Sequence, residues 1–345
     1  MFQKFLLRFL LGLPPKVLIW LSGKAQITTI GGRALDPGFQ FLLNFLGDKE
    51  SAAIDHSLPA AEQRKQADDA LRPLFALSAP LPEGVDFVDH QVPSDGVHVR
   101  VREYFNNDLG KNAPALVYFH GGGWVYFNIE SNHTFTGTLS SILGAKVFSV
   151  DYRLAPENPY PAALNDFDAV FDWIESNHEE LGVDPERISV GGDSAGGNLS
   201  AAISIRRHAY SKTLPKAQLL IYPVTDLTFS HDSIEELAEG FFLSKEDMYW
   251  FREQYLEDEN AAKEVLISPL FSQDLSGQPP AVVVTAGFDV LRDEGDAYAQ
   301  SLNRSNVKTF HHSFAGYIHG FVNMEMVSGV NEAIIKFCND FKKIN

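Results

Sequence analysis

The chain has 345 residues, 45% hydrophobic and 21% charged, a globular composition that excludes an extended disordered or collagenous chain and can bury a large core. A formal net charge of −17 argues against nucleic acid as a partner, since a polyanion would be repelled, and suits neutral or cationic substrates better, a small neutral one being the expected partner. The one cysteine, Cys338, can form neither an intramolecular disulfide nor a cysteine-based metal site.

Residues 1–80 show no strand-like alternation and begin with the most hydrophobic segment of the chain. Phe2, Phe5, Leu6, Phe9, Leu10 and Leu13 recur at helical spacing with Lys4 and Arg8 off that face, which predicts an amphipathic helix stopped by Pro14-Pro15. Lys16 and Lys24 bracket a second short apolar run. Neither run reaches the roughly 18 apolar residues of a membrane span, and no small-residue cleavage site follows. The apolar face is expected to fold inward as part of a cap, because an acidic body would be repelled by an anionic bilayer. A cytoplasmic protein without stable membrane insertion is the expectation, with peripheral association at a membrane surface as the alternative. Oligomeric state stays open, a homodimer included.

From residue 87 the pattern changes. Residues 87–92 and 98–105 read as an antiparallel pair turned at Pro93-Ser94-Asp95-Gly96. The buried strand 115–119 then ends in His120-Gly121-Gly122-Gly123-Trp124, where successive glycines leave backbone N–H groups open to a substrate oxygen. A helix over 134–143 and a strand over 146–151 follow. Pro161 opens a helix whose Leu164, Phe167, Val170, Phe171 and Ile174 share one face.

The next strand runs from Ile188 directly into Gly192-Asp193-Ser194-Ala195-Gly196. Gly-x-Ser-x-Gly between a strand and a helix makes a tight turn that exposes the serine hydroxyl, and the N–H groups at the start of the helix face the place where negative charge develops. After the strand 217–224, residues 225–265 interrupt the alternation with a helical insertion that includes a capping box at Ser244 and Asp247. Strand 281–287, a helix near 293–302, strand 307–314 and a last helix bearing Ile334, Phe337, Cys338 and Phe341 complete the chain. Strands alternating with helices of this length imply an α/β fold, a mostly parallel central sheet with helices on both faces.

A serine at neutral pH needs a base to take its proton and a carboxylate to orient that base. Asp289 is the first carboxylate beyond strand 281–287; its rival Asp293 suits the start of the following helix. Strand 307–314 leads into a loop carrying His319, the candidate base. His120 opens the glycine loop and suits a hydrogen-bonding role there. No paired-histidine motif and no phosphate loop followed by lysine occurs, so no metal and no cofactor are expected. Trp124, Phe241, Phe242, Phe288 and Ile318 are candidates to line an apolar pocket, with core packing as the equal alternative.

His120-Gly121-Gly122-Gly123-Trp124, the run 151–157 (Asp-Tyr-Arg-Leu-Ala-Pro-Glu), Gly192-Asp193-Ser194-Ala195-Gly196-Gly197, Asp289-Val290-Leu291-Arg292-Asp293 and His319-Gly320-Phe321 resemble, in order, the motifs of the hormone-sensitive-lipase-like esterases of the α/β-hydrolase fold. The resemblance covers residues 87–345. It implies a serine carboxylesterase for short- to medium-chain esters, in which Ser194, Asp289 and His319 match the catalytic triad and Gly121, Gly122 and Ala195 match the oxyanion donors. It also implies a cap formed by residues 1–80 and the insertion 225–265 over a catalytic domain spanning 81–345. Val290 departs from the family, which usually has proline there, but removes no catalytic group. An amidase or deacetylase using the same groups and a non-catalytic receptor on this fold remain the alternatives.

Overall fold

The computed structural model describes residues 2–46, 58–75 and 80–345. Its centre is an eight-stranded sheet ordered β10-β9-β8-β7-β5-β6-β4-β3. β3 (Val85–Ser94) and β4 (Val97–Asn106) form the expected hairpin, and β4 continues antiparallel onto β6 (Lys146–Asp151). β6, β5 (Ala113–Phe119), β7 (Val183–Asp193), β8 (Gln218–Ile221), β9 (Ala281–Phe288) and β10 (Thr309–Ile318) are parallel. Because the central strands are covered on both faces, they are apolar throughout: all eight residues of β9 are buried.

Helices supply that cover. α5 (His133–Leu143), α6 (Ala162–Ser176), α7 (His178–Leu181), α8 (Ala195–Ala209), α11 (Arg292–Arg304) and α12 (Val330–Phe341) follow their strands in chain order. On α6 the stripe Leu164, Phe167, Val170, Phe171 and Ile174 is buried, with Phe167 stacked 3.8 Å from the ring of Phe119 on β5. Truncating one such side chain costs about 3–5 kcal/mol, because the packed interior cannot close the void. Ile334, Phe337, Cys338 and Phe341 are buried on α12, and burial pushes the Cys338 thiol pKa up, leaving a packed, unreactive sulfur.

The first 80 residues hold α1 (Phe2–Leu11), α2 (Pro15–Leu21), α3 (Pro37–Leu46) and α4 (Ala60–Phe75). They also hold a small hairpin, β1 (Thr29–Ile30) with β2 (Arg33–Ala34), which the sequence pattern did not signal because each strand is two residues long. The expected inward face of α1 is corrected. Leu7 and Leu11 are buried and Leu10 is half-buried, whereas Leu6 and Phe9 are exposed. The side chains of Phe2 and Phe5 lie outside the described residues. Leu7 and Leu11 share a face one helical step away from the stripe that stands out in the sequence, and the body accommodates only one side of the helix.

Residues 225–265 interrupt the strand–helix alternation with α9 (Ser233–Glu236) and α10 (Lys245–Tyr255). The capping box of α10 is present: Ser244 Oγ accepts from the Asp247 N–H, and the Asp247 carboxylate accepts from the Ser244 N–H.

Candidate active site

Parallel strands end their loops on one edge, and three of those loops deliver Ser194, Asp289 and His319, each the first residue after its strand, to one point. His319 Nδ1 hydrogen bonds Asp289 Oδ2 at 2.7 Å, and His319 Nε2 lies 3.0 Å from Ser194 Oγ. All three residues are buried. A Ser–His–Asp chain of this geometry can pass the serine proton to the imidazole while the carboxylate holds the ring's orientation.

Ser194 has φ 55° and ψ −118°, a strained backbone for a residue with a side chain. Its neighbours make that turn sterically possible. A Cβ on Gly196 would collide with the Phe119 carbonyl at the end of β5, and one on Gly192 would collide with the Gly196 backbone. Glycine at both places therefore lets α8 pack directly onto the sheet beneath the serine.

Asp293, the rival acid, takes no part in this chain. It accepts from the Ser233 N–H at 2.9 Å and from Arg292 Nε at 2.7 Å. Burial raises its pKa, but the Arg292 guanidinium outweighs that and holds the carboxyl below its usual range.

The glycine loop differs from expectation in one donor. The Gly121 N–H donates to Asp193 Oδ1 at 3.0 Å, and the same oxygen accepts from the Tyr118 hydroxyl at 2.6 Å. Gly121 is therefore corrected from oxyanion donor to structural anchor, because its one N–H is already taken. Among the described residues no hydrogen bond engages the N–H groups of Gly122, Gly123 or Ala195. Positive φ at Gly122 (106°) and Gly123 (58°) turns the backbone here, and Gly122 lines the cavity in front of Ser194. The sequence held this signal only as a run of three equivalent glycines.

His120 is fully buried, 2.7 Å from the Gly121 carbonyl through Nδ1, and stacked 4.4 Å from the Tyr152 ring. Burial lowers its pKa, so it braces the loop as a neutral ring. Behind the loop, Arg64 of α4 donates from Nε to the Val125 carbonyl at 2.7 Å and from Nη2 to the Ala155 carbonyl at 2.6 Å, and pairs with Glu157.

A cavity of about 50 Å³ opens in front of Ser194 and His319. Gly122, Phe127, Asn132, Phe242, Asn323 and Met324 are among its walls. Of the five aromatic and aliphatic pocket candidates, Phe242 alone is there. Trp124, Phe288 and Ile318 are corrected to core, and Phe241 is half-buried against it. Trp124 is stacked 4.3 Å from Tyr255, Phe241 packs 5.2 Å from Phe288, and Phe288 and Ile318 are themselves buried strand ends. Phe127 and Asn132 were missed because they follow the glycine loop without a motif of their own. Asn323 and Met324 lie just beyond His319-Gly320-Phe321, and that nearness was the available signal.

Comparison with known proteins agrees with this architecture. A family profile described as alpha/beta hydrolase fold matches residues 116–323. The carboxylic ester hydrolase LipN of Mycobacterium tuberculosis is 34% identical over 335 residues, covering 92% of this chain and 87% of its own. Among solved structures, an ester-hydrolase from the metagenome of Lake Arreo, complexed with a bipyridine phosphonate derivative, superimposes with a TM-score of 0.84 at 35% identity, covering 90% of this chain and 98% of its own. The thermostable carboxylesterase EstE1, cloned from a metagenomic library, gives a TM-score of 0.80 at 39% identity, covering 85% of this chain and 100% of its own.

Proposed function

Because the chain belongs to the hormone-sensitive-lipase-like esterases of the α/β-hydrolase fold and is a carboxylic-ester hydrolase, we propose that it cleaves small neutral esters through a covalent acyl-enzyme on Ser194. The observation that carries this reading is the unbroken hydrogen-bonded chain from Asp289 through His319 to Ser194. His319 Nε2 takes the hydroxyl proton as Ser194 Oγ attacks the ester carbonyl, and Asp289 stabilises the imidazolium. The N–H groups of Gly122, Gly123 and Ala195 receive the developing oxyanion, helped by the positive end of α8. His319 then returns the proton to the departing alkoxide. Water, activated by the same imidazole, releases the acid and restores the serine.

Residues 225–265, with Phe242 in the cavity wall and Phe251 against Gly123, act in this scheme as a cap, joined by α4 through Arg64. A cavity of about 50 Å³ has room for only a few water-sized groups, which favours a short acyl chain over a long one.

The test is to treat the protein with an alkyl phosphonate ester and to locate the adduct by mass spectrometry. Modification of Ser194, together with a loss of several orders of magnitude in turnover for Ser194→Ala, is the expected result. An adduct elsewhere, or full activity without the hydroxyl, overturns the assignment. Matched ester and anilide substrates, with the ester turned over faster, separate an esterase from an amidase.

A further inference from the structure

The two N-terminal helices show their apolar side chains to solvent. Among the described residues ten large hydrophobic side chains are exposed, and Leu6, Phe9, Val17, Trp20 and Phe45 make up half of them within the first 45 residues. Phe9 is 61% and Trp20 73% exposed, far from the single half-covered apolar residues that any protein surface carries. The helices are not loose: Leu7, Leu11 and Leu18 are buried beneath them and join the main core.

Charge on this segment is opposite to that of the body. Residues 1–35 contain Lys4, Arg8, Lys16, Lys24 and Arg33 and no acidic residue, although the whole chain carries −17. Arg8, Lys16 and Lys24 are exposed alongside the apolar side chains.

We propose that α1 and α2 form a docking face for an anionic lipid bilayer, lying in the interface rather than crossing it. Exposed phenylalanine, leucine and tryptophan supply the area that inserts at the headgroup boundary, and tryptophan is suited to that depth because its ring is apolar and its N–H is not. The exposed lysine and arginine ammonium and guanidinium groups meet the lipid phosphates. Repulsion of the acidic body does not cancel this attraction. Surface charges more than a Debye length of about 8 Å apart are screened at physiological salt, whereas the basic residues of the face sit at contact distance. No helix among the described residues is long and apolar enough to cross a membrane, and α1 spans only ten residues.

The experiment uses the full chain and co-sedimentation with vesicles of phosphatidylcholine containing phosphatidylglycerol, against vesicles of phosphatidylcholine alone. Binding to the anionic vesicles, released by high salt and accompanied by a blue shift of tryptophan emission, is expected. Phe9→Ser with Trp20→Ser, and separately Arg8→Glu with Lys16→Glu, should each weaken it by about tenfold or more while leaving thermal unfolding and turnover of a soluble ester unchanged. Failure to bind, equal binding to neutral vesicles, or binding untouched by either pair overturns the proposal. So does a lipid-free dimer that Trp20→Ser dissociates, since the face would then belong to a second copy of the chain. Loss of soluble-ester turnover in both pairs would likewise overturn it, by showing that the face serves the site rather than a bilayer.

Discussion

The N–H of Gly121 is bound to the carboxylate of Asp193, the residue immediately before Ser194, at 3.0 Å. The glycine loop and the Ser194 turn are thus fixed to each other, with the Tyr118 hydroxyl completing the buried join. Burial raises the Asp193 pKa and these hydrogen bonds oppose it. Asp193→Ala would leave the Tyr118 hydroxyl and the Gly121 N–H buried without partners, costing about 1–3 kcal/mol for each. Turnover should fall roughly ten- to a hundredfold as the oxyanion donors move, with Asp193→Asn, which keeps the accepting oxygen, much closer to the parent. Thermal unfolding and kcat measured on both variants check this. Unchanged kcat in the alanine variant would show that the join does not position the loop.

Asp289 and Asp293 separate cleanly by what they touch. Asp289→Asn should lower kcat by about 10⁴ with the fold intact, since the amide would favour the wrong imidazole tautomer. Asp293→Asn removes the negative charge beside Arg292 and leaves one accepting oxygen where two now serve Arg292 and Ser233, and should lower the melting temperature while changing kcat little. Steady-state kinetics and calorimetry on the two proteins distinguish the roles, and a dead Asp293 variant would reverse them.

Phe242 closes the cavity from the side of the insertion 225–265, with its ring against Gly320. Phe242→Ala should open that wall and move the preference toward longer acyl chains. Each added methylene that becomes buried is worth about 0.8 kcal/mol, or roughly fourfold in kcat/KM. A series of p-nitrophenyl esters of rising acyl length reads the change directly. An unaltered profile would mean that the acyl group lies elsewhere.

These contrasts explain what was legible in the sequence. Ser194 and Asp289 were readable because each stands at the carboxyl end of an apolar strand, and His319 because it follows the next strand on the same edge; parallel strands bring such residues together whatever the loops do. The outward turn of Phe9, the commitment of the Gly121 N–H and the burial of Trp124 against Tyr255 were not. Each depends on which side of a local element meets a distant one, and helical periodicity or a glycine run is silent about that.

Arg64 holds the far side of the glycine loop through the Val125 and Ala155 carbonyls. Its pairing with Glu157 holds that carboxyl below its usual range, so the contact persists until strongly acidic conditions protonate the acid. A lysine cannot reproduce the forked set of hydrogen bonds. Arg64→Lys and Arg64→Ala should both lower kcat with little change in KM, since the loop proposed to stabilise the transition state loses its anchor. A rise in KM alone would instead place Arg64 in substrate binding.

Glu294 sets a pH dependence of stability with a definite sign. Its side chain is buried, and Oε1 accepts from the N–H groups of Thr225 at 2.6 Å and Asp226 at 3.1 Å. Burial raises its pKa well above the usual value near 4.5, the nearby Asp226 and Asp289 charges add to the rise, and the two backbone hydrogen bonds only partly oppose it. Between the ordinary and the raised value the folded chain keeps a proton that the unfolded chain releases. Stability from this group is therefore fullest below the unfolded value and declines as pH rises toward the folded one. Glu294→Gln keeps a carbonyl oxygen for Thr225 and Asp226 but has no proton to lose. Its melting temperature relative to the parent should consequently rise between about pH 5 and about pH 8, with the two proteins nearest each other in acid. A difference that is the same at both values would mean that Glu294 is ionised in the fold, held by the two N–H groups against the burial that opposes it.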